Sequence, residues 1–277
     1  MPNSTLNGAA KKIMIFSVFS YLSIFIYLIG LAYLLVNITR NPNFDTSFLQ
    51  RLAALAIVSH GIAAANMLFV EEGLDLSLFV VFVLIAFFTN TVVFLSGTKK
   101  PLHSMYLALF PISAASLFLA LIYPSTKSVS AVSAYLQTHI LISILAYSLL
   151  AIAALHAILT GYQNWQLKSK KQNFMMRAFP PLQTMEDFLF ELIWAGEILL
   201  TLSLITGFLF YDDMFDQKLL HKATLSIVAW AVYAILLWGR YSRGWRGVKA
   251  IGWSWVGFTA ILMGYVGSKI VLEFIII

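Results

Sequence analysis

The segment His221–Gly247 reads HKATLSIVAWAVYAILLWGRYSRGWRG, an apolar run opened by a histidine and closed by Arg240, Arg243 and Arg246. A helix that crosses the hydrocarbon core of a bilayer needs about 20 apolar residues at roughly 1.5 Å rise each, and this run supplies them. Under the positive-inside bias the arginines mark the cytoplasmic end, which places His221 at the opposite, outer surface. Working outward, runs of the same character lie at about 13–36, 51–70, 78–95, 102–122, 136–160, 187–210 and 250–272. With 221–241 they predict an all-α, polytopic transmembrane helix bundle of about eight spans, with 1–277 as a single integral-membrane domain.

Composition agrees. The chain is 60% hydrophobic and 11% charged, where ordinary soluble domains carry about a quarter charged residues. The net charge of +6 sits mostly in short connections, so it reads as membrane topology and predicts no nucleic-acid partner. There is no cysteine, which excludes disulfide exchange, thiolate metal ligation and haem attached through Cys-x-x-Cys-His. The first apolar run is too long for a signal-peptide core and has no small-residue cleavage site after it, so it is expected to be a retained span. Gly-rich phosphate loops, His-Glu-x-x-His and Gly-x-Ser-x-Gly are missing, and the loops are too short to fold a catalytic domain. No enzyme is expected.

Most basic residues fall in the odd-numbered loops: Arg40 and Arg51, Lys99 and Lys100, Lys168 to Arg177, and Arg240 to Lys249. Acidic clusters at Glu71–Asp75 and Asp212–Asp216 fill even loops. Odd loops are therefore expected inside and both termini outside, in the periplasm. Lys11 and Lys12 oppose this for the first span, and seven spans with the N-terminus inside is the alternative. Trp165, Trp238, Trp245, Trp253 and Trp255 gather at the expected inner boundary, as an interfacial belt does. Pro180 and Pro181, followed by Thr184 and Asp187 in a Thr-x-x-Asp capping pattern, predict that the sixth helix starts near Asp187.

Ionisable groups within spans are costly and point to function. His139 lies about one turn inside the outer end of the fifth span, level with His221 at the start of the seventh. Neutral imidazoles from two helices hold haem iron edge-on in a bundle. Ser143, Ala146 and Ala153 form a small-residue stripe on the His139 side, suited to close approach of a helix or a flat macrocycle. The competing reading is that each histidine snorkels to headgroups or bonds a neighbouring carbonyl. His60, in mid-span, needs a partner because hydrocarbon offers no water. Asn66, Asn90 and Glu197 are the polar candidates, and a second iron-ligand role is equally open. His103 and His156 fall at inner ends, where solvation or phosphate contact suffices. Glu191 and Glu197 in the sixth span, with His60, would serve a proton or cation path in a transporter subunit. Ala260, Gly264 and Ser268, with Gly257 and Gly267, form a small-xxx-small face that predicts tight packing, internal or between subunits, and would suit a scaffold.

These residues resemble the cytochrome c assembly family, the CcsA/CcmC-like haem-handling membrane proteins. Lys222, Trp230 and Arg240 match the spacing of the family's helix after its tryptophan motif. His139 with Ser143 and Ala146-Tyr147 looks like its outer histidine. The similarity is closer still to the YpjD-type inner-membrane branch and covers nearly the whole chain, most strongly from Leu136 onward. It is carried by Pro180-Pro181-Leu-Gln-Thr-Met-Glu186, His221-Lys222, Leu237-Trp238-Gly239-Arg240, Gly244-Trp245-Arg246-Gly247 and Gly267-Ser-Lys269-Ile-Val-Leu-Glu273. The loop before His221, YDDMFDQKLL, lacks the family's tryptophans, and Trp238 replaces a family histidine. The resemblance implies a multi-pass protein of a bacterial inner membrane that handles, relays or senses haem near the outer face, with other cytochrome c maturation or membrane proteins as partners. His139 carries over as a ligand of haem b. The role of His221 as second axial ligand follows from its depth, and His60 is a deeper candidate.

Overall fold

The structure is a computed structural model that describes residues 3–40, 45–70, 73–98, 102–124, 133–170, 179–210 and 217–264. The side chains of 3–13, 39–40, 134, 210 and 217–221 lie outside that description. Eight α-helices are present: α1 Asn3–Arg40, α2 Thr46–Leu68, α3 Leu78–Gly97, α4 Tyr106–Ile122, α5 Ala134–Ser169, α6 Leu182–Phe210, α7 Gln217–Arg243 and α8 Val248–Leu262. The first seven contain segments long and apolar enough to span a membrane, that of α4 including the 3-10 turn His103–Met105. Within the described residues α8 is shorter.

The chain is thus an all-α polytopic membrane protein. Its only described strands are Phe69–Val70 and Gly73–Leu74, a two-residue antiparallel pair between α2 and α3. Just beyond it, Asp75 accepts the Ser77 backbone N–H at 2.9 Å, a local turn that leads the chain into α3.

The helices separate into two compact units, 1–132 and 133–277. In the first, α1 packs on α2, α2 on α3, α3 on α4 and α4 back on α1. In the second, α5, α6, α7 and α8 close the same four-membered ring. No sequence repeat announces this shared order.

The core of the first unit holds a polar pair. The Tyr27 hydroxyl of α1 meets His60 Nδ1 of α2 at 3.0 Å, and both residues are fully buried. Gly30 gives the room for this packing, since a Cβ there would lie 2.5 Å from the Phe110 ring. Asn90 of α3 donates to Ser113 of α4 at 2.6 Å.

The second unit is tied at one end by residues of the quoted motifs. Gly239 lies under the Trp245 ring, which leaves no space for a Cβ. Gly247, at φ +57°, gives its N–H to Glu186 Oε1 at 3.0 Å. Arg240 pairs with Asp187 at 3.1 Å and lies over the Phe190 ring. The sixth helix therefore starts at Leu182, not near Asp187. The prolines occupy the approach to its first turn, where missing N–H groups cost nothing, and Pro181 O accepts from Met185 N. Thr184 lies inside the helix, and Asp187 serves the ion pair.

The small-residue face of α8 is internal where it is described. A Cβ on Gly257 would lie 2.7 Å from the Tyr233 ring of α7, and one on Gly264 would lie 3.1 Å from Leu225. Gly267 and Ser268 are outside the described residues.

Candidate functional site

His139 sits one and a half turns into α5, half-buried, and its Nδ1 lies 3.0 Å from the Thr206 hydroxyl of α6. A threonine hydroxyl has one proton. Thr206 commits its proton to its own helix, with Leu202 O at 2.9 Å and Ser203 O at 3.0 Å. Its oxygen is therefore the acceptor and His139 Nδ1–H the donor. With Nδ1–H so engaged, the neutral tautomer carries its lone pair on Nε2, the form an iron ligand requires, and the Ser203 carbonyl is also within hydrogen-bonding reach of the ring. One turn along, Ser143 gives its hydroxyl to His139 O at 2.7 Å and meets Ser203 Oγ at 2.7 Å. Ala146 and Ala153, of the predicted stripe, are fully buried.

His221 lies in the second turn of α7, and its side chain is outside the described residues, so its pairing with His139 is too. Backbone register still sets its level. The hydroxyls of Tyr147 and Ser226 are 3.4 Å apart. His139 precedes Tyr147 by about 12 Å along α5, and His221 precedes Ser226 by about 7.5 Å along α7. Trp230 Nε1 donates to Thr201 Oγ1 at 3.0 Å, a second tie that runs through α6. The two routes bracket His221 within about one helical turn of His139. Because α5 and α7 are diagonal in their ring, they start at the same end and face each other across its interior. Lys222, next to His221, is within electrostatic reach of His139.

His60 belongs to the first unit. Its partner is Tyr27, not Asn66, Asn90 or Glu197: Asn66 bonds Ile62 O in its own helix, and Asn90 bonds Ser113 and Ala86 O. Its Nε2 is buried without a hydrogen bond of normal geometry, with the Val83 carbonyl within reach of the ring. Tyr27 and Phe87 close on the ring edge-to-face, at 5.8 and 5.9 Å between centroids. A macrocycle at Nε2 would have to displace one of them. The residues at His60 therefore do not fit haem in this arrangement, whereas the tautomer and setting of His139 do.

His156 also departs from expectation. It is fully buried, Nε2 lies 2.8 Å from Met185 O, and the Phe188 ring meets it edge-on. Its role is to join α5 to the start of α6, with no solvation or phosphate contact. In α6, Glu191 is exposed and Glu197 buried, so the two do not share a face. Among the described residues no group of three His, Asp or Glu side chains gathers to hold a metal ion. Sequence reasoning missed Thr206. Its signal is a hydroxyl on a neighbouring span, invisible until the register of α5 against α6 is known.

The sequence profile of the family described as Cytochrome C assembly protein matches residues 48–276. The chain belongs to the cytochrome c assembly protein family. It is similar to the inner membrane protein YpjD of Escherichia coli (strain K12), 31% identical over 262 residues that cover 93% of this chain and 99% of that protein. It is also similar to the protein HemX of Brevibacillus brevis, 24% identical over 166 residues, 59% of this chain and 57% of HemX. A third relative is the cytochrome c biogenesis protein CcsA of Prochlorococcus marinus (strain NATL1A), 27% identical over 115 residues, 39% of this chain and 36% of CcsA. This member of the family is a multi-pass inner-membrane protein.

Proposed function

We propose that this protein is a haem-binding member of its family, which holds haem b at the end of the second unit where α5 and α7 begin. His139 and His221 are the axial ligands, and the role is handling, relay or sensing of haem without catalysis. The observation that carries the reading is the His139–Thr206 hydrogen bond, because it commits Nδ1–H and orients the ring for ligation through Nε2. The diagonal placement of α5 and α7 supports it, since ligands on facing helices address opposite faces of one macrocycle. The biogenesis role named for CcsA is in line with it.

When bound, haem supplies an iron centre capable of reversible one-electron change. The chain's own part is to position two imidazoles, line the interior with small residues and leave Lys222 near the site as a cation for an acidic edge. In this reading the His139 end faces the periplasm, both termini are outside, and other maturation or membrane proteins take or supply the haem.

The test is the reduced-minus-oxidised absorption spectrum of detergent-purified protein expressed with ample haem. A bis-imidazole spectrum lost in both His139→Ala and His221→Ala is expected. Loss in His139→Ala alone would remove His221 as a ligand. A colourless wild type would sink the proposal.

A further inference from the structure

Glu197 stands midway along α6 on its buried face, only 7% exposed, and both carboxyl oxygens are buried without a hydrogen-bond partner. Among the described residues no Lys or Arg pairs with it; the ion pairs there are Arg51–Asp45 and Arg240–Asp187. From α7 its titratable neighbour is Tyr233, fully buried, whose hydroxyl donates to the Ser254 carbonyl of α8 at 3.1 Å. The Ser254 hydroxyl is itself buried and unpaired. On the α5 side, Leu149 and Leu150 press on the adjacent Gly196, where a Cβ would lie 2.5 Å from Leu150.

A lone ionised carboxylate inside a membrane protein is strongly disfavoured, because neither solvent nor a counter-charge replaces its lost hydration. It escapes that state by taking a metal cation or a proton. A hard cation asks for a shell of several oxygens. Here, among the described residues, no side chain or backbone group bonds either carboxyl oxygen, and the phenol near it is already committed to a carbonyl. A proton asks for one oxygen.

We propose that Glu197 is an exchangeable proton site within the second unit: a carboxylic acid, neighboured by Tyr233, that takes up and releases a proton inside the membrane. This goes beyond haem binding and does not rest on it, since Glu197 is nine residues, roughly 13 Å, along α6 from Thr206.

Infrared difference spectroscopy of the full-length protein in lipid nanodiscs, wild type against Glu197→Gln, in H2O and in D2O, tests it. The expected result is a protonated-carboxyl C=O band at neutral pH that is lost in the variant and moves to lower frequency in D2O. No such band in the wild-type-minus-variant spectrum would show an ionised group and overturn the proposal. A band that stays fixed after prolonged D2O exchange would show a sealed structural acid and overturn it equally. Should Glu197→Gln fail to fold, Glu197→Asp serves instead, with the band expected to shift in frequency rather than vanish.

Discussion

At the scale of single residues, the hydrogen-bond partner of each imidazole separates histidines that the sequence presents alike. His139 donates to an oxygen whose own proton is already spent, which leaves Nε2 as the ring's acceptor atom. His60 meets the Tyr27 hydroxyl at Nδ1 and is closed in by aromatic edges. His156 spends its Nε2 on a backbone carbonyl at a helix start. If the Thr206 oxygen sets the His139 tautomer, then Thr206→Val, which keeps the shape and removes the acceptor, should weaken haem binding about 10–100-fold, as loss of an outer-shell partner does at metal sites. Haem titration of the purified variant checks this, and unchanged affinity would detach Thr206 from the site.

At the scale of elements, small residues decide how closely helices approach. The α7–α8 contact is set where Gly257 faces Tyr233, and the phenol there also reaches Ser254 O. Gly257→Ala forces the ring to move in a packed interior and should cost about 1–3 kcal/mol. Gly252 is on the same helix with nothing within 4 Å of its would-be Cβ. Gly252→Ala should therefore be neutral or stabilising, by up to about 1 kcal/mol from helix propensity. Thermal unfolding of the two variants in one detergent distinguishes a steric cause from a general effect of alanine. Equal melting temperatures would mean that the close approach is not limiting. At the other end of α7, the Gly239–Trp245 and Gly247–Glu186 contacts explain why Gly, Trp, Arg and Glu recur in the quoted motifs. They lock a turn, and the proposed haem site lies at the opposite end of the unit.

At the scale of the whole molecule, two four-helix rings of the same order follow one another along the chain. With α8 as the last crossing, both agree with the expected loop-charge pattern, since an even number of spans returns the chain to the side where it began. The orientation reading predicts an active phosphatase reporter, of a type that folds only in the periplasm, when fused after Ile277. The same reporter placed between Ser169 and Leu182 should be inactive. The reverse result would turn the molecule over and place the His139 end in the cytoplasm.

Some of this was legible in the chain alone. Membrane residence and helix count follow from run length, because a lipid-spanning segment must satisfy its backbone internally and cover it with apolar side chains. The family resemblance was equally legible, because its motif strings are local in sequence. The start of α6 was misread because a Thr-x-x-Asp pattern caps a helix only if no earlier turn forms, and the prolines open one earlier. The partners of His60, His139 and His156 could not be read at all. Each lies on another helix, at distances of 33, 67 and 29 residues along the chain. Apolar periodicity says that a helix is buried but not which neighbour it meets or at what register. The sequence therefore determined a polytopic helical membrane protein and the helices that carry its histidines. Only tertiary packing decided which imidazole faces an acceptor, which is walled in, and that the Glu197 carboxyl meets no hydrogen-bond partner among the described residues, because those outcomes depend on contacts between segments far apart in the chain.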